Sequence, residues 1–298
     1  MSIINRSHKD RLFRKLFDGE SEDTKKNLLS LYNALNRTDY SNPDELTIYT
    51  IEDVVYVGVK NDVSCIIDSN LSLYEHQSTV NPNMPIRRLT YFSKMYERYI
   101  AENHLNTYGE RLIKIPAPQY YVFYNGDRDM PDRTVLRLSD AFERPVKSGE
   151  FQWTATVLNI NSGHNAELLE KCRILHDYQV LVDKIREYRL NGTSMENAVD
   201  EAVGYCLSEG ILKQYLLANK AEATDMLLTD FDEEQYINDI KEYAMEQGRD
   251  QGIEQGTEQT TLSAVQNLMK STGWSSAQAL DALGVSGELR QKMEVKLS

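Results

Sequence analysis

The stretch Asn61–Gln77 constrains the fold of this chain more than any other part of its sequence. Two apolar and β-branched runs, Val63–Ile67 and Leu71–Gln77, have the composition of β-strands. Between them stands Asp68–Asn70, whose short polar side chains favour turns because they hydrogen-bond to nearby backbone groups. The stretch is therefore predicted to form a β-hairpin.

The predicted hairpin brings two carboxylates and an amide together. We place the centre of its turn at Ser69 and Asn70. Asp62 then lies opposite Gln77, with Glu75 as its diagonal neighbour. Residues two apart on a strand share a face, so Glu75 and Gln77 point in the same direction. Carboxylates this close are the ligands that a hard divalent cation such as Mg²⁺ takes from proteins. The alternative is a solvated polar patch at the end of a hairpin.

Helices and further strands are predicted on both sides of the hairpin. Helical spacing of apolar residues is present in Asp10–Phe17, Thr24–Asn36, Ile86–Ala101, Ala166–Arg189, Met195–Cys206 and Gly210–Asn219. Strand patterns are present in Leu46–Val59, Gln119–Tyr124, Val135–Leu138 and Thr154–Ile160. The run Gln119–Tyr124 is strongly apolar and is predicted to be central in a sheet. Strands surrounded by helices in this order indicate an α/β fold with a mixed sheet.

Changes of pattern divide the chain into four predicted parts. They are a compact core at 1–160, a helical extension packed on it at 161–224, an acidic helix and glycine-repeat linker at 225–260, and a small C-terminal helical module at 261–298. In the linker Gly248, Gly252 and Gly256 recur every four residues within a polar segment. Because each glycine weakens a helix by about 1 kcal/mol, we interpret this segment as an exposed spacer, with self-association as the alternative.

The C-terminal module has short amphipathic patterns around Trp274, and Ser275, Ser276 and Ser286 are candidate helix N-caps. Two interpretations remain open. The module is either a helical hairpin that joins copies of the chain into a homo-oligomer or a helix-turn-helix-like unit.

The net charge of -13 argues against a generally phosphate-binding surface, because such binding rests on Lys and Arg. Basic residues nevertheless cluster in two segments, Arg6–Lys15 and Arg87–Arg98. No run approaches the roughly 18 apolar residues of a membrane span, and the start lacks a signal-peptide core. The three cysteines are scattered and fit neither a zinc site nor a disulfide framework. We expect a cytoplasmic protein without a membrane partner.

The ordered segments resemble the PD-(D/E)XK nuclease superfamily, and more closely its Rpn-type recombination-promoting nucleases, which are also described as transposase-like. The residues that carry this resemblance are KDRLFRKLF at Lys9–Phe17, NDVSCIID at Asn61–Asp68, YEHQ at Tyr74–Gln77 and MPIRRLTYF at Met84–Phe92. Taken alone, the Asp and Glu-x-Gln spacing is a weak motif, but the order of helix, Asp strand, Glu-x-Gln strand and Arg…Tyr helix is more specific. The resemblance covers roughly Lys9–Glu143. It implies a restriction-endonuclease-like mixed sheet flanked by helices, followed by a helical region and a C-terminal helical tail.

The resemblance also implies a metal centre. Asp62 and Glu75 would bind Mg²⁺ or Mn²⁺, and the backbone carbonyl of His76 would complete the protein's share of ligands. Such a cation lowers the pKa of a bound water and neutralises charge on the phosphate under attack. Gln77 stands where the wider superfamily has lysine, so its amide can orient a water but cannot contribute a positive charge.

Further roles follow from the same resemblance. Arg87 would clamp a phosphate of DNA with its forked donors, assisted by Arg88. Tyr91 lies one helical turn after Arg87 and is an accessory candidate. Asp10 would supply an additional acid, although an acidic residue at a helix start is also explained by the helix dipole.

Together with these residues, the resemblance implies a metal-dependent DNA endonuclease linked to recombination or mobile elements. The alternative is a catalytically weak or inactive nuclease-fold protein that serves as a DNA- or protein-binding module.

The side chains of His76 and Cys65 are expected on the face opposite Glu75, where Cys65 joins the core. The aromatic residues of Gln119–Tyr124 are expected in the core as well.

Overall fold

The computed structural model describes residues 11–49, 63–144 and 151–297 of the chain. Its helices are α1 (Arg11–Phe17), α2 (Glu22–Asn36), α3 (Met84–Glu102), α4 (Ala166–Lys171), α5 (Arg173–Leu190), α6 (Met195–Glu209), α7 (Lys213–Thr272), α8 (Ser276–Ala282) and α9 (Gly287–Leu297). Its strands are β1 (Thr47–Ile48), β2 (Val63–Ile67), β3 (Asn70–Gln77), β4 (Ala117–Tyr124), β5 (Arg133–Arg137) and β6 (Thr154–Asn159). The chain divides after residue 233 into two compact units, which are described separately.

The strands of the first unit form a six-stranded sheet in the order β1-β2-β3-β4-β6-β5. The pairs β1–β2, β2–β3 and β5–β6 are antiparallel, whereas β3–β4 and β4–β6 are parallel. A parallel pair needs a long crossover connection, and α3 lies in the connection between β3 and β4. The prediction of an α/β fold with a mixed sheet is confirmed, and β4 lies inside the sheet as expected.

The hairpin of β2 and β3 has a different turn from the predicted one. Ile67 pairs with Asn70, so the turn consists of Asp68 and Ser69. The predicted turn centre at Ser69 and Asn70 was therefore wrong. Asp68 takes a left-handed backbone conformation with φ of 47°, which aspartate tolerates better than most residues. Asn70 is thereby free to enter β3, where its side-chain amide donates to the Tyr32 hydroxyl at 2.9 Å.

Two apolar cores cover the two faces of the sheet. On one face Val63, Cys65 and Tyr74 join a cluster with residues of α1, α2, α4, α5 and α6. On the other face Leu71 and Leu73 join a cluster with residues of α3. Cys65 is fully buried, as predicted, and this burial raises the pKa of its thiol to about 12. The alternation of side chains along β3 therefore sends odd-numbered residues towards α3.

Helix α3 contributes a charged residue to the candidate site from its buried, otherwise mostly apolar face. Its buried positions after the first turn are Arg88, Tyr91, Phe92 and Met95, which recur at helical spacing. Pro85 stands in the first turn, where a missing backbone N–H costs no helical hydrogen bond. An arginine therefore occupies the inward-facing stripe of a helix whose other buried members are apolar or aromatic.

The helices after the sheet follow the predicted order with one additional break. The helix predicted at Ala166–Arg189 is divided at Cys172, which separates α4 from α5. Gly210 ends α6 in a left-handed conformation with φ of 77°, which glycine adopts without a steric penalty. Asn219, where we expected a helix to end, has non-helical backbone angles within α7.

The second unit has its own small core of Val265, Ala279, Leu280 and Met293. Ser275 caps α8 as predicted, since its side chain accepts from the backbone of Gln278, whose side chain bonds back to Ser275. In the part of the chain that the structure describes, none of the helices is sufficiently long and apolar to cross a lipid bilayer.

Candidate functional site

Glu75 is the carboxylate on which the candidate site is built. It follows Leu71 and Leu73 on the face of β3 that is turned towards α3. Only 3% of its surface is exposed. A carboxylate buried this deeply is stable only when it is paired with a positive charge and hydrogen-bonded. The neighbours of Glu75 therefore decide what this position can do.

Arg88 of α3 holds both oxygens of this carboxylate. Its Nε donates to Oε2 at 2.8 Å, and its Nη2 lies 2.7 Å from Oε1. Two parallel contacts of this kind match the planar fork of a guanidinium to a carboxylate. Arg88 is fully buried, so the pair is formed away from solvent.

Two further donors complete the surroundings of Glu75. The Tyr120 hydroxyl donates to Oε2 at 2.5 Å from the neighbouring parallel strand β4. The Gln77 amide nitrogen donates to Oε1 at 2.9 Å. A carboxylate has about four lone-pair directions, so Arg88, Tyr120 and Gln77 together saturate it.

An aromatic cluster on the same face of the sheet packs against Tyr120. Trp153 stacks on the Tyr120 ring, with centroids 6.0 Å apart and planes 14° apart, and packs on Phe92 at 4.5 Å. Its indole nitrogen donates to the backbone oxygen of Pro85 at 2.9 Å. One tryptophan thus joins the strand that carries Tyr120 to the first turn of the helix that carries Arg88.

Opposing effects set the protonation of Glu75. Burial by itself would raise the pKa of this carboxyl, but the charges of Arg88 and Arg87 and the hydrogen bonds from Arg88 and Tyr120 act in the other direction. Their sum holds the pKa of Glu75 below its usual value of 4.5. Glu75 is therefore an ionised carboxylate at neutral pH.

The structure brings together some of the residues predicted for the site. Gln77 lies beside Glu75 on the predicted face. The His76 side chain lies on the opposite face, as predicted, where its Nε2 is 3.3 Å from the Tyr178 hydroxyl and its ring is 5.4 Å from that of Phe13. The metal-binding role of the His76 backbone carbonyl stays a prediction. Asp62 and Asp10 lie outside the described residues.

The two arginines have different surroundings. The Arg87 side chain is 32% exposed, and its Nη2 lies 3.6 Å from Glu75 Oε1. Arg88 is buried against Glu75, so the phosphate contact predicted for it does not fit its position. Tyr91 is also buried, with its ring centroid 5.9 Å from the Arg88 guanidinium carbon. Arg87 and Tyr91 therefore do not line one open cleft.

Tyr120 was missed as a member of the site. The prediction that Gln119–Tyr124 is core is confirmed for Tyr120, Phe123 and Tyr124, which are all buried. The strands β3 and β4 are parallel, and Glu75 pairs with Val122. Tyr120 lies two positions before Val122 on the same face of β4, so its hydroxyl can contact Glu75. The sequence contains no signal for that register, since the two strands are far apart in the chain.

The described residues around Glu75 do not fit a divalent cation. They offer one carboxylate, whose oxygens are already bonded, and two guanidinium groups that repel a cation. No group of three or more His, Cys, Asp or Glu side chains suitable for a metal occurs among residues 11–49, 63–144 and 151–297. A cation at this position would need Arg88 to release Glu75 and further ligands from elsewhere.

No protein-family model, no curated protein and no solved structure matches this chain.

Proposed function

We propose that the protein is a DNA endonuclease that hydrolyses phosphodiester bonds and depends on Mg²⁺ or Mn²⁺, with a role in recombination or mobile elements. The observation that carries this proposal is the contact of Glu75 and Gln77 on one face of β3, with Arg87 beside them. The order of α1, β2, β3 and α3 also supports it, because the resemblance to PD-(D/E)XK nucleases rests on segments in that order.

Three described residues have roles in this proposal. Glu75 supplies an ionised carboxylate beside the reacting phosphate. Gln77 supplies an amide that orients a water without contributing charge. Arg87, the partly exposed arginine, takes a phosphate oxygen of the DNA with its forked donors.

Residues outside the described ranges are part of the same proposal. Asp62 directly precedes Val63, which pairs with Tyr74, the residue before Glu75. We assign Asp62 as the second acid and retain Asp10 as an accessory acid. Within the described part of the chain, we assign the backbone carbonyl of His76 as a further ligand of the cation.

Plasmid nicking by purified protein tests the proposal. We expect wild type to convert supercoiled DNA to the open circle in Mg²⁺ or Mn²⁺, but not in EDTA. Glu75→Gln keeps the size of the side chain and its hydrogen-bond acceptor, and we expect it to abolish nicking. Glu97→Gln, an exposed change on α3, is the matched control and should cleave like wild type. Equal cleavage by wild type and Glu75→Gln would contradict the assignment of Glu75.

A nuclease-fold protein that binds DNA or another protein without cleaving it is the second candidate. The saturated state of Glu75 favours it, since both oxygens are bonded to Arg88, Tyr120 and Gln77. Its expected result is retained DNA binding in a gel-shift assay, with no nicking in either metal and no heat of metal binding.

Light scattering of the full chain and of a chain lacking 245–298 would show whether the C-terminal helices support a homo-oligomer.

A further inference from the structure

The side chains of Arg88 and Glu75 form an ion pair that is buried among the described residues. The two side chains are 0% and 4% exposed. The guanidinium comes from the inward-facing stripe of α3 and reaches both carboxylate oxygens, at 2.8 and 2.7 Å. A positive group therefore already stands where a cation bound by both oxygens of Glu75 would have to stand.

The remaining contacts of Glu75 strengthen this arrangement. Tyr120 Oη bonds to Oε2 and Gln77 Nε2 bonds to Oε1, which leaves neither oxygen without a donor. Magnesium requires oxygen ligands at about 2.0–2.1 Å in near-octahedral geometry. A carboxylate oxygen cannot meet that requirement while a guanidinium nitrogen occupies the same lone pair.

Electrostatic repulsion also opposes the binding of a cation at Glu75. Arg87 Nη2 lies 3.6 Å from Oε1, so the described charges near Glu75 comprise two guanidinium groups and one carboxylate. An incoming divalent cation meets a net positive site unless one of these arginines moves. Arg88 is the one that contacts both oxygens, so its release opens the carboxylate.

We propose that Arg88 is an internal counter-ion that closes Glu75 to divalent cations, so that cation binding at Glu75 and the Arg88 contact exclude one another. Arg88 is thus a positioning residue that acts through Glu75. The inference deepens the proposed function and rests on it for the identity of the cation, but cation binding can be measured without any cleavage.

Mn²⁺ binding to the full chain tests the inference, with the free ion measured by its electron paramagnetic resonance signal. The variants are Arg88→Met and the double variant Glu75→Gln/Arg88→Met. Arg98→Met is the matched control on the same helix, since Arg98 pairs with Glu102 in an exposed position. We expect Arg88→Met to bind Mn²⁺ at least about tenfold more tightly than wild type, a change that titration resolves. The control should bind like wild type.

The double variant shows whether any gain in Mn²⁺ affinity arises at Glu75. If the gain arises at Glu75, it disappears in Glu75→Gln/Arg88→Met. A gain that persists in the double variant, or unchanged Mn²⁺ binding by folded Arg88→Met, overturns the inference. Should Arg88→Met fail to fold, Arg88→Gln decides, because its amide keeps a hydrogen-bond donor for Glu75 but carries no positive charge. Tighter binding by Arg88→Gln supports the inference, and unchanged binding overturns it.

Cleavage by the same proteins separates this inference from the proposed function. Nicking by wild type without any gain in Mn²⁺ binding in the Arg88 variants contradicts the counter-ion role and leaves the nuclease proposal intact. A gain in Mn²⁺ binding without nicking by any variant supports the counter-ion role and contradicts the nuclease proposal.

Discussion

Arg88 Nε lies 2.8 Å from Glu75 Oε2, and Arg88 Nη2 lies 2.7 Å from Glu75 Oε1. The two charges have left water, so their attraction must offset a large loss of hydration. Such pairs contribute little net stability compared with apolar residues of the same size, but the loss of one partner leaves the other charged and buried. The pair is therefore sensitive to single changes and tolerant of a matched double change.

The first prediction concerns the stability of this pair. Arg88→Met should lower the free energy of unfolding by about 3–5 kcal/mol, because Glu75 keeps its charge without its main partner. Glu75→Gln/Arg88→Met should recover most of this loss, since no charge is left buried. Urea denaturation followed by circular dichroism measures both values.

The matched control for this pair is Arg98→Met. Arg98 and Glu102 are 43% and 48% exposed, so the loss of their contact should cost at most about 1 kcal/mol. A double variant as unstable as Arg88→Met would show that packing of the arginine, and not the unpaired charge, determines the effect.

The second prediction concerns pH. In the unfolded chain Glu75 takes up its proton near its usual pKa of 4.5, whereas in the folded protein the pKa is lower because Arg88, Arg87 and Tyr120 outweigh burial. Around pH 4.5 the unfolded state therefore binds more protons, so stability rises with pH. The contribution of Glu75 is fully present above pH 4.5 and is lost as the pH falls through its folded pKa.

Glu75→Gln removes this titration. The slope of unfolding free energy against pH below 4.5 should be shallower in Glu75→Gln than in wild type, as measured by urea denaturation at a series of pH values. Glu97→Gln changes an exposed carboxylate on the same helix as Arg88 and serves as the control. Identical slopes for wild type and Glu75→Gln would contradict the lowered pKa of Glu75.

The third prediction concerns the hydroxyl of Tyr120, which donates to Glu75 from the neighbouring strand β4. Tyr120→Phe removes the hydroxyl that donates to Glu75 Oε2 at 2.5 Å but keeps the ring against Trp153. We expect a loss of about 1.5–3 kcal/mol in unfolding free energy, the usual range for a hydrogen bond to a charged group. Tyr121→Phe is the control, since the Tyr121 ring stacks on Tyr74, on the other face of the sheet. Equal stability of the two variants would contradict a specific role for the Tyr120 hydroxyl.

Local patterns of the sequence predicted the elements of the site well. The apolar alternation of β3 was sufficient to place Glu75 and Gln77 together and His76 opposite them. The turn was misplaced because Asp68 and Asn70 are both turn formers, and the local sequence does not reveal that the Asn70 amide donates to the distant Tyr32 hydroxyl.

The contacts of Glu75 could not be predicted in the same way. Arg88 stands in a basic run that is typical of an exposed helix face, and its burial depends on a carboxylate thirteen residues earlier that is itself buried. Tyr120 reaches Glu75 through the parallel register of β3 and β4, which is set by packing of the whole sheet. Such long-range pairing leaves no periodic signal in a single sequence.

The last prediction concerns the chain segment directly after Gln77. Gly126 follows β4, and a Cβ atom at this position would overlap the backbone oxygen of Ser78. The Asn125 backbone N–H also donates to the Gln77 carbonyl at 3.2 Å, so the two strand ends are fixed against each other. Because backbone atoms cannot move away as a flexible side chain can, Gly126→Ala should cost about 1–3 kcal/mol of unfolding free energy.

Gly204→Ala is the matched control for this change, because it adds the same methyl group inside α6, where no atom outside the helix backbone lies within 4 Å of the new Cβ. Alanine favours a helix over glycine by about 1 kcal/mol, so this variant should be more stable than wild type. Urea denaturation of both variants should thus give shifts of opposite sign. A stabilised or neutral Gly126→Ala would contradict a tight fit between the ends of β3 and β4 at this position.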